Sequence, residues 1–164
     1  MKVTRILALL LTCVLILSLA SCGMKSYSRL GLSFEIPAGY EEKAIAHVDM
    51  AYGDDTSFIV FNKYTSSELS LIGVSATDVK AYTEYFLEKS EIGVEDVTYS
   101  SDGARATFEY VVGDPENTDV YYYYSVLILR GADCIWAVQM ACYADLMYDY
   151  ASEFETWARN IRAN

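Results

Sequence analysis

From Leu32 onward the apolar residues recur either every second position or with a period near 3.6, and the switches between the two periods predict the order of elements. Leu32, Phe34 and Ile36 alternate with Ser33 and Glu35, a half-buried strand ended by Pro37-Ala38-Gly39. A weaker extended segment follows from about Lys43 to Tyr52. Gly53-Asp54-Asp55 turns into a strand over residues 56–63, with Phe58 and Val60 on one face and Ile59 and Phe61 on the other. After a polar loop, Ser75-Ala76-Thr77-Asp78 opens a helix in which Val79, Tyr82, Phe86 and Leu87 keep helical spacing to about Lys89. A meander comes next: Val94 to Tyr99, a turn at Ser101-Asp102-Gly103, then Ala104 to Val112. Gly113-Asp114-Pro115-Glu116-Asn117 turns into Val120 to Arg130, and Gly131-Ala132-Asp133 turns into Cys134 to Cys142. The chain closes with a helix, starting between Asp145 and Ala151, whose apolar stripe is Phe154, Trp157, Ala158 and Ile161.

Successive hairpin turns make the sheet antiparallel, and its last two strands decide how it is covered. One face of the final strand carries Cys134, Trp136, Val138, Met140 and Cys142, the other Ile135, Ala137, Gln139 and Ala141. A strand apolar on both faces needs both covered. The predicted fold is α+β, an antiparallel β-sheet with helices on both faces (an α/β/α sandwich), in the order βββαββββα. Alternation also splits the run Tyr121-Tyr122-Tyr123-Tyr124 into one pair per face. Each pair is then expected to pack near the end of a helix-covered face, so that Tyr122→Ala and Tyr123→Ala both cost about 2–4 kcal/mol.

The opening "YSRLGLSFEIPAGY", the terminal hairpin "YYYYSVLILRGADCIWAVQMACYADL" and the closing "YASEFETWARNI" resemble the PsbP-like domain, over roughly residues 28–162. That domain is named for an extrinsic subunit of photosystem II and is found also in small bacterial lipoproteins. The resemblance rests on strand order, a Gly-x-x-Phe-x-x-Pro opening and an aromatic-containing last strand. It implies an α/β/α sandwich and a mostly accessory role, stabilising or assembling a larger complex, and it assigns no binding residues.

The first residues bring in a compartment. Lys2 and Arg5 precede an uncharged apolar run from Ile6 to about Ala20, which reads as a signal peptide over residues 1–21. At roughly 15 residues the run is short of the ~20 needed to span a bilayer core. Leu19-Ala20-Ser21-Cys22 resembles the lipobox of bacterial lipoproteins, which implies cleavage before Cys22 and lipid on its thiol. Two or more acyl chains anchor stably. Cys22 is therefore the expected lipid-attachment residue, palmitate among its acyl chains, with residues 22–28 a short tether and residues 29–164 a single domain on the extracytoplasmic face of the cell membrane.

Charge narrows the partners. The net charge is −11, and the signal peptide takes two of the 12 basic residues and none of the 23 acidic ones. Nucleic acid demands a basic footprint, so it is excluded as a partner. Cys134 and Cys142 remain in the domain. Eight residues apart on one strand places them about 26 Å from each other, far beyond the ~7 Å a disulfide tolerates. They read as free, buried thiols.

Candidate chemistry is thin. His47 is the single histidine, so any Ser/His/Asp or Cys/His arrangement must use it, and it reads as a solvated or hydrogen-bonded strand residue. Asp49, Asp54 and Asp55 gather around one turn, and Asp114, Glu116 and Asp119 around another. Hard cations want several oxygens at once, but neither stretch has the calcium-loop pattern, and the same residue types build tight turns. No catalytic residues, metal and no cofactor are expected. Two functions fit: a non-enzymatic accessory or scaffolding lipoprotein docking an envelope protein partner through its sheet edge or an aromatic patch, and a capture module for a small molecule or cell-wall glycan that stacks it on surface tyrosines. A protective or immunity role is compatible with the same features.

Overall fold

Leu30 and Gly31 both take left-handed backbone angles, φ 54° and 86°, and so close a two-residue hairpin between β1 (Met24–Arg29) and β2 (Leu32–Pro37). In the computed structural model, residues 23–164 are described, apart from 116 and 118. The expected signal peptide, residues 1–21, and the expected lipid-attachment residue Cys22 lie outside the described residues. β1 corrects the expected tether: residues 24–28 form a strand. Its side chains are almost all exposed, so no alternation marks it, and the half-buried Tyr27 stacks on Phe34 at 5.3 Å.

β2 does not join the main sheet. With β1 and β10 (Arg162–Ala163) it makes a small three-stranded sheet. Its inward face, Leu32, Phe34 and Ile36, lies on the larger sheet, with Phe34 4.4 Å from Phe61 between ring centres. A strand apolar on one face only is built to cover a sheet. The larger sheet has seven strands in the order β3-β4-β5-β9-β8-β7-β6: β3 (Glu41–Glu42), β4 (Met50–Gly53), β5 (Ser57–Thr65), β6 (Thr98–Tyr99), β7 (Arg105–Gly113), β8 (Tyr121–Arg130) and β9 (Cys134–Tyr143). Every pairing among the described residues is antiparallel.

One face of this sheet is covered by α1 (Ser66–Leu71) and α2 (Val79–Ser90). Leu69, Val79 and Tyr82 bury Ala106, Phe108, Val126, Ile128, Ile135 and Ala137 beneath them. The other face is covered by α3 (Met147–Asn160) together with the small sheet, over Ile59, Phe61, Leu127, Trp136, Val138 and Met140. The α+β class with both sheet faces covered therefore holds, with a small sheet sharing one covering layer.

Three boundaries differ from the sequence reading, each for a local reason. α1 replaces part of the polar loop: Thr65 accepts from the Glu68 amide while Glu68 reaches back to the Thr65 amide, a capping box in Thr65-Ser66-Ser67-Glu68. The extended segment expected from Lys43 to Tyr52 is strand only from Met50, which opens β4; the stretch before it is irregular, with His47 at φ 65°, and brings β4 back beside Glu41–Glu42 of β3. The strand expected from Val94 shrinks to Thr98–Tyr99, because Val94 and Val97 pack against the core under α2, out of register with the sheet. α2 starts where expected, Asp78 accepting from the Ala81 amide at 2.9 Å.

Candidate functional site

β7 is the outermost long strand, and β6 covers only Ala106 and Thr107 of it. Which backbone groups this leaves open follows from parity. Arg105 O accepts from Ser100 N on the outer side, and Ala104 O accepts from Arg130 N and Asp114 N donates to Val120 O on the β8 side. The odd residues of β7 thus point outward and the even ones toward β8. Glu109 and Val111 present their N–H and C=O groups on an edge with no strand beside it among the described residues. Natural edges of this kind are usually covered or charged. Here Val111 and Val112 are 52% and 42% exposed, and the neighbouring Tyr121, its ring over Gly113, is 54% exposed.

Behind this edge, beyond the reach of α1 and α2, lies an aromatic platform. The registers place Phe58, Ala141, Tyr124 and Tyr110 in one row across β5, β9, β8 and β7, and Tyr143, Tyr122 and Val112 in the next. Tyr110 and Tyr124 stack at 4.9 Å, and Tyr122 and Tyr143 at 5.4 Å. The small side chain of Ala141 lets Phe58 meet Tyr124 across β9 at 6.2 Å. Gly53, opposite Phe58, is required by close approach: a Cβ there would sit 2.7 Å from Ser57 O and 2.9 Å from Phe58 Cβ. Burial raises the Tyr110 hydroxyl, with Tyr124 beside it; burial, then Tyr143 and Asp114, raise that of Tyr122. The Tyr110, Tyr122 and Tyr124 rings are half-covered, and each is stacked on a neighbour.

On the opposite face the edge borders a cleft of about 790 Å³ between residues 93–98, β7 and α3. Its charged groups are Glu95, Asp96, Arg105, Glu109, Glu155 and Arg159. Arg159 pairs with Glu155 at 3.0 Å. Arg105 is turned away from the carboxylates, its Nη2 donating to Ala158 O at 3.1 Å and to Ile161 O, a cation closing the C-terminal end of α3. Glu95, Asp96 and Glu109 have no ion-pair partner among the described residues. Burial and the adjacent Glu109 both raise the Tyr123 hydroxyl.

Other expected positions fall elsewhere. His47 is exposed in its turn. Cys134 and Cys142 are free and buried at opposite ends of β9, and the Cys142 thiol is pushed up to about 11 by burial, then Asp145 and Asp149. Asp49 accepts from Lys63 N at 2.6 Å, apart from Asp54. Asp54 Oδ1 accepts from the amides and hydroxyls of Thr56 and Ser57. The Asp114 turn closes through its backbone, Val120 N donating to Asn117 O at 3.0 Å, and Glu116 lies outside the described residues. Among the described residues no group of three His, Cys, Asp or Glu side chains is placed to hold a metal ion, and no helix is long and apolar enough to cross a membrane.

Asp54 carries a pH prediction. Burial raises its carboxyl, but the four hydrogen bonds outweigh this and leave it below the ordinary carboxylate value. A depressed folded-state pKa gives stability that is present above the unfolded value, about 3.9, and lost as the pH falls through the folded one. Wild type is therefore expected to melt above Asp54→Asn at pH 7, with the gap closing as the pH falls below about 4. A Tm gap independent of pH would show that the carboxylate adds nothing over the amide.

The topology, with its seven-stranded antiparallel sheet, is that of the α+β PsbP/Mog1-like fold. The chain is similar to cyanobacterial PsbP (CyanoP) from Synechocystis, with TM-score 0.58 and 16% identity over 87% of this chain and 94% of that one. It is similar to the Ran-binding protein Mog1p of Saccharomyces cerevisiae, with TM-score 0.58 and 11% identity over 87% and 96%. A protein of Bacteroides thetaiotaomicron matches with TM-score 0.52 and 10% identity over 88% of this chain and 49% of its own. At these identities the likeness is one of fold. No family model and no curated protein matches the chain.

Proposed function

We propose that this is a lipid-anchored extracytoplasmic accessory protein, held to the membrane through Cys22, which docks an envelope protein at the β7 corner and performs no reaction of its own. The observation that carries the docking reading is the open edge at Glu109 and Val111 beside the exposed Val112 and Tyr121. An edge of unpaired backbone groups beside apolar side chains is a ready template for another chain. Mog1p, named for binding Ran, offers a fold-level analogy for a protein partner. The lipobox-like Leu19-Ala20-Ser21-Cys22 supports the anchoring.

The test is cross-linking and affinity capture of the lipidated protein from its own membrane, beside Cys22→Ala. A stoichiometric protein partner is expected with wild type, and Cys22→Ala is expected to leave the membrane fraction. A soluble wild type would sink the anchoring. A second reading, capture of a small molecule or wall glycan, is favoured by the stacked Tyr110, Tyr122, Tyr124 and Tyr143. Saturable binding of soluble wall-glycan fragments, lost in Tyr124→Ala, together with no protein partner, would replace the first reading by the second.

A further inference from the structure

We infer that the β7 edge receives an extended segment of a partner protein as an added strand, and that this segment alternates apolar with basic residues. The inference deepens the docking reading and rests on it. Strand addition is set by the backbone: Glu109 and Val111 each offer an outward N–H and C=O, the spacing an incoming strand needs for consecutive hydrogen-bonded pairs.

The composition of the segment follows from what flanks it on each side. An added strand sends alternate side chains to opposite faces of the sheet. On the platform face they would lie beside Tyr110 and Val112, where the surface is aromatic and aliphatic. On the other face they would enter the cleft bordered by Glu95, Asp96 and Glu109. Both arginines of that cleft are engaged, Arg159 by Glu155 and Arg105 by the α3 carbonyls. The three remaining carboxylates complement ammonium or guanidinium groups, whose charge pairs strengthen away from bulk water. A second copy of this chain is disfavoured as the occupant, since edge-to-edge pairing would set the same carboxylates against each other in a chain already at −11.

The probe is a capped eight-residue peptide alternating valine and lysine, titrated onto the full lipidated chain in zwitterionic nanodiscs and read by fluorescence anisotropy at low and moderate salt. A valine–glutamate peptide is the charge control. The expected result is a Kd for the lysine peptide at least tenfold below that of the control, with the advantage shrinking as salt rises. Glu109→Gln should weaken the lysine peptide severalfold. Val111→Pro removes an outward N–H that bonds no neighbouring strand, so it should keep its Tm and lose at least tenfold in affinity. Equal affinities for the two peptides would overturn the inference, as would unchanged binding by a folded Val111→Pro. If a membrane partner is captured by wild type while the peptides fail in either way, docking stands and the edge assignment falls; if neither partner nor peptide binds, both fall. A dimer dissociated by Val111→Pro would replace the partner strand by a second copy.

Discussion

Phe154→Ala is expected to lower the unfolding free energy by about 3–5 kcal/mol, the range for truncating a fully buried aromatic. Phe154 is 0% exposed and is the centre of the contacts that seat α3: its ring lies 5.2 Å from Trp157, 5.3 Å from Tyr150 and 6.1 Å from Tyr123. Removing it leaves a cavity between helix and sheet that the neighbouring rings cannot fill, because Trp157 is already held against Tyr40. Urea unfolding of wild type and variant measures the change. A loss below about 1 kcal/mol would mean that α3 collapses onto the sheet without it. The same substitution is expected to weaken peptide binding at β7, since Glu155, Ala158 and Arg159 of α3 form one wall of the cleft.

The second large effect is a difference between neighbours. Tyr123→Ala is expected to cost about 3–5 kcal/mol and Tyr122→Ala about 1 kcal/mol. Tyr123 is 2% exposed under α3 and stacks on Phe154. Tyr122 is half-buried, and its main ring contact is the exposed Tyr143. The equal losses expected from alternation alone are thereby corrected. Paired urea titrations decide it, and equal costs would show that the Tyr122–Tyr143 stack is buried in solution, which would remove the exposed platform.

The correction shows where a sequence pattern stops being informative. Alternation separates Tyr122 from Tyr123 correctly, because it depends only on the pleat of one strand. How deeply each face is covered depends on where the helices end. α2 covers the sheet as far as Phe108 and Val126, and one residue pair beyond that line Tyr110 and Tyr124 are left half-open. The platform escaped the sequence reading for a related reason: its members come from β5, β7, β8 and β9, brought level by register. The spacing of Tyr110 to Tyr124 across their turn contained that signal, since hairpin pairing sets them opposite each other.

β1 and the capping box at Thr65 were missed for different reasons. β1 is exposed on nearly every side chain, so hydrophobic periodicity is silent, and the left-handed pair Leu30-Gly31 is the only local sign of its hairpin. Thr65-Ser66-Ser67-Glu68 is a helix start in plain sequence, but the six-residue α1 that follows is too short to show a periodic stripe. Val94 to Val97 erred the other way, where apolar residues at strand-like spacing pack under α2 instead.

The sequence by itself determined the antiparallel meander, the two long strands apolar on both faces, the helix starting at Asp78, the closing helix with its Phe154-Trp157-Ala158 stripe, and the burial of Cys134 and Cys142 without a disulfide. Each follows from interactions a few residues long or from the alternation of a single strand. Only the tertiary structure decided that β2 covers the sheet instead of extending it, that Arg105 caps α3 and leaves Glu95, Asp96 and Glu109 unpaired, and that β6 stops after two residues and leaves β7 open. Those outcomes depend on which distant segments compete for the same face or edge, a choice settled by packing across the chain and invisible to any local pattern.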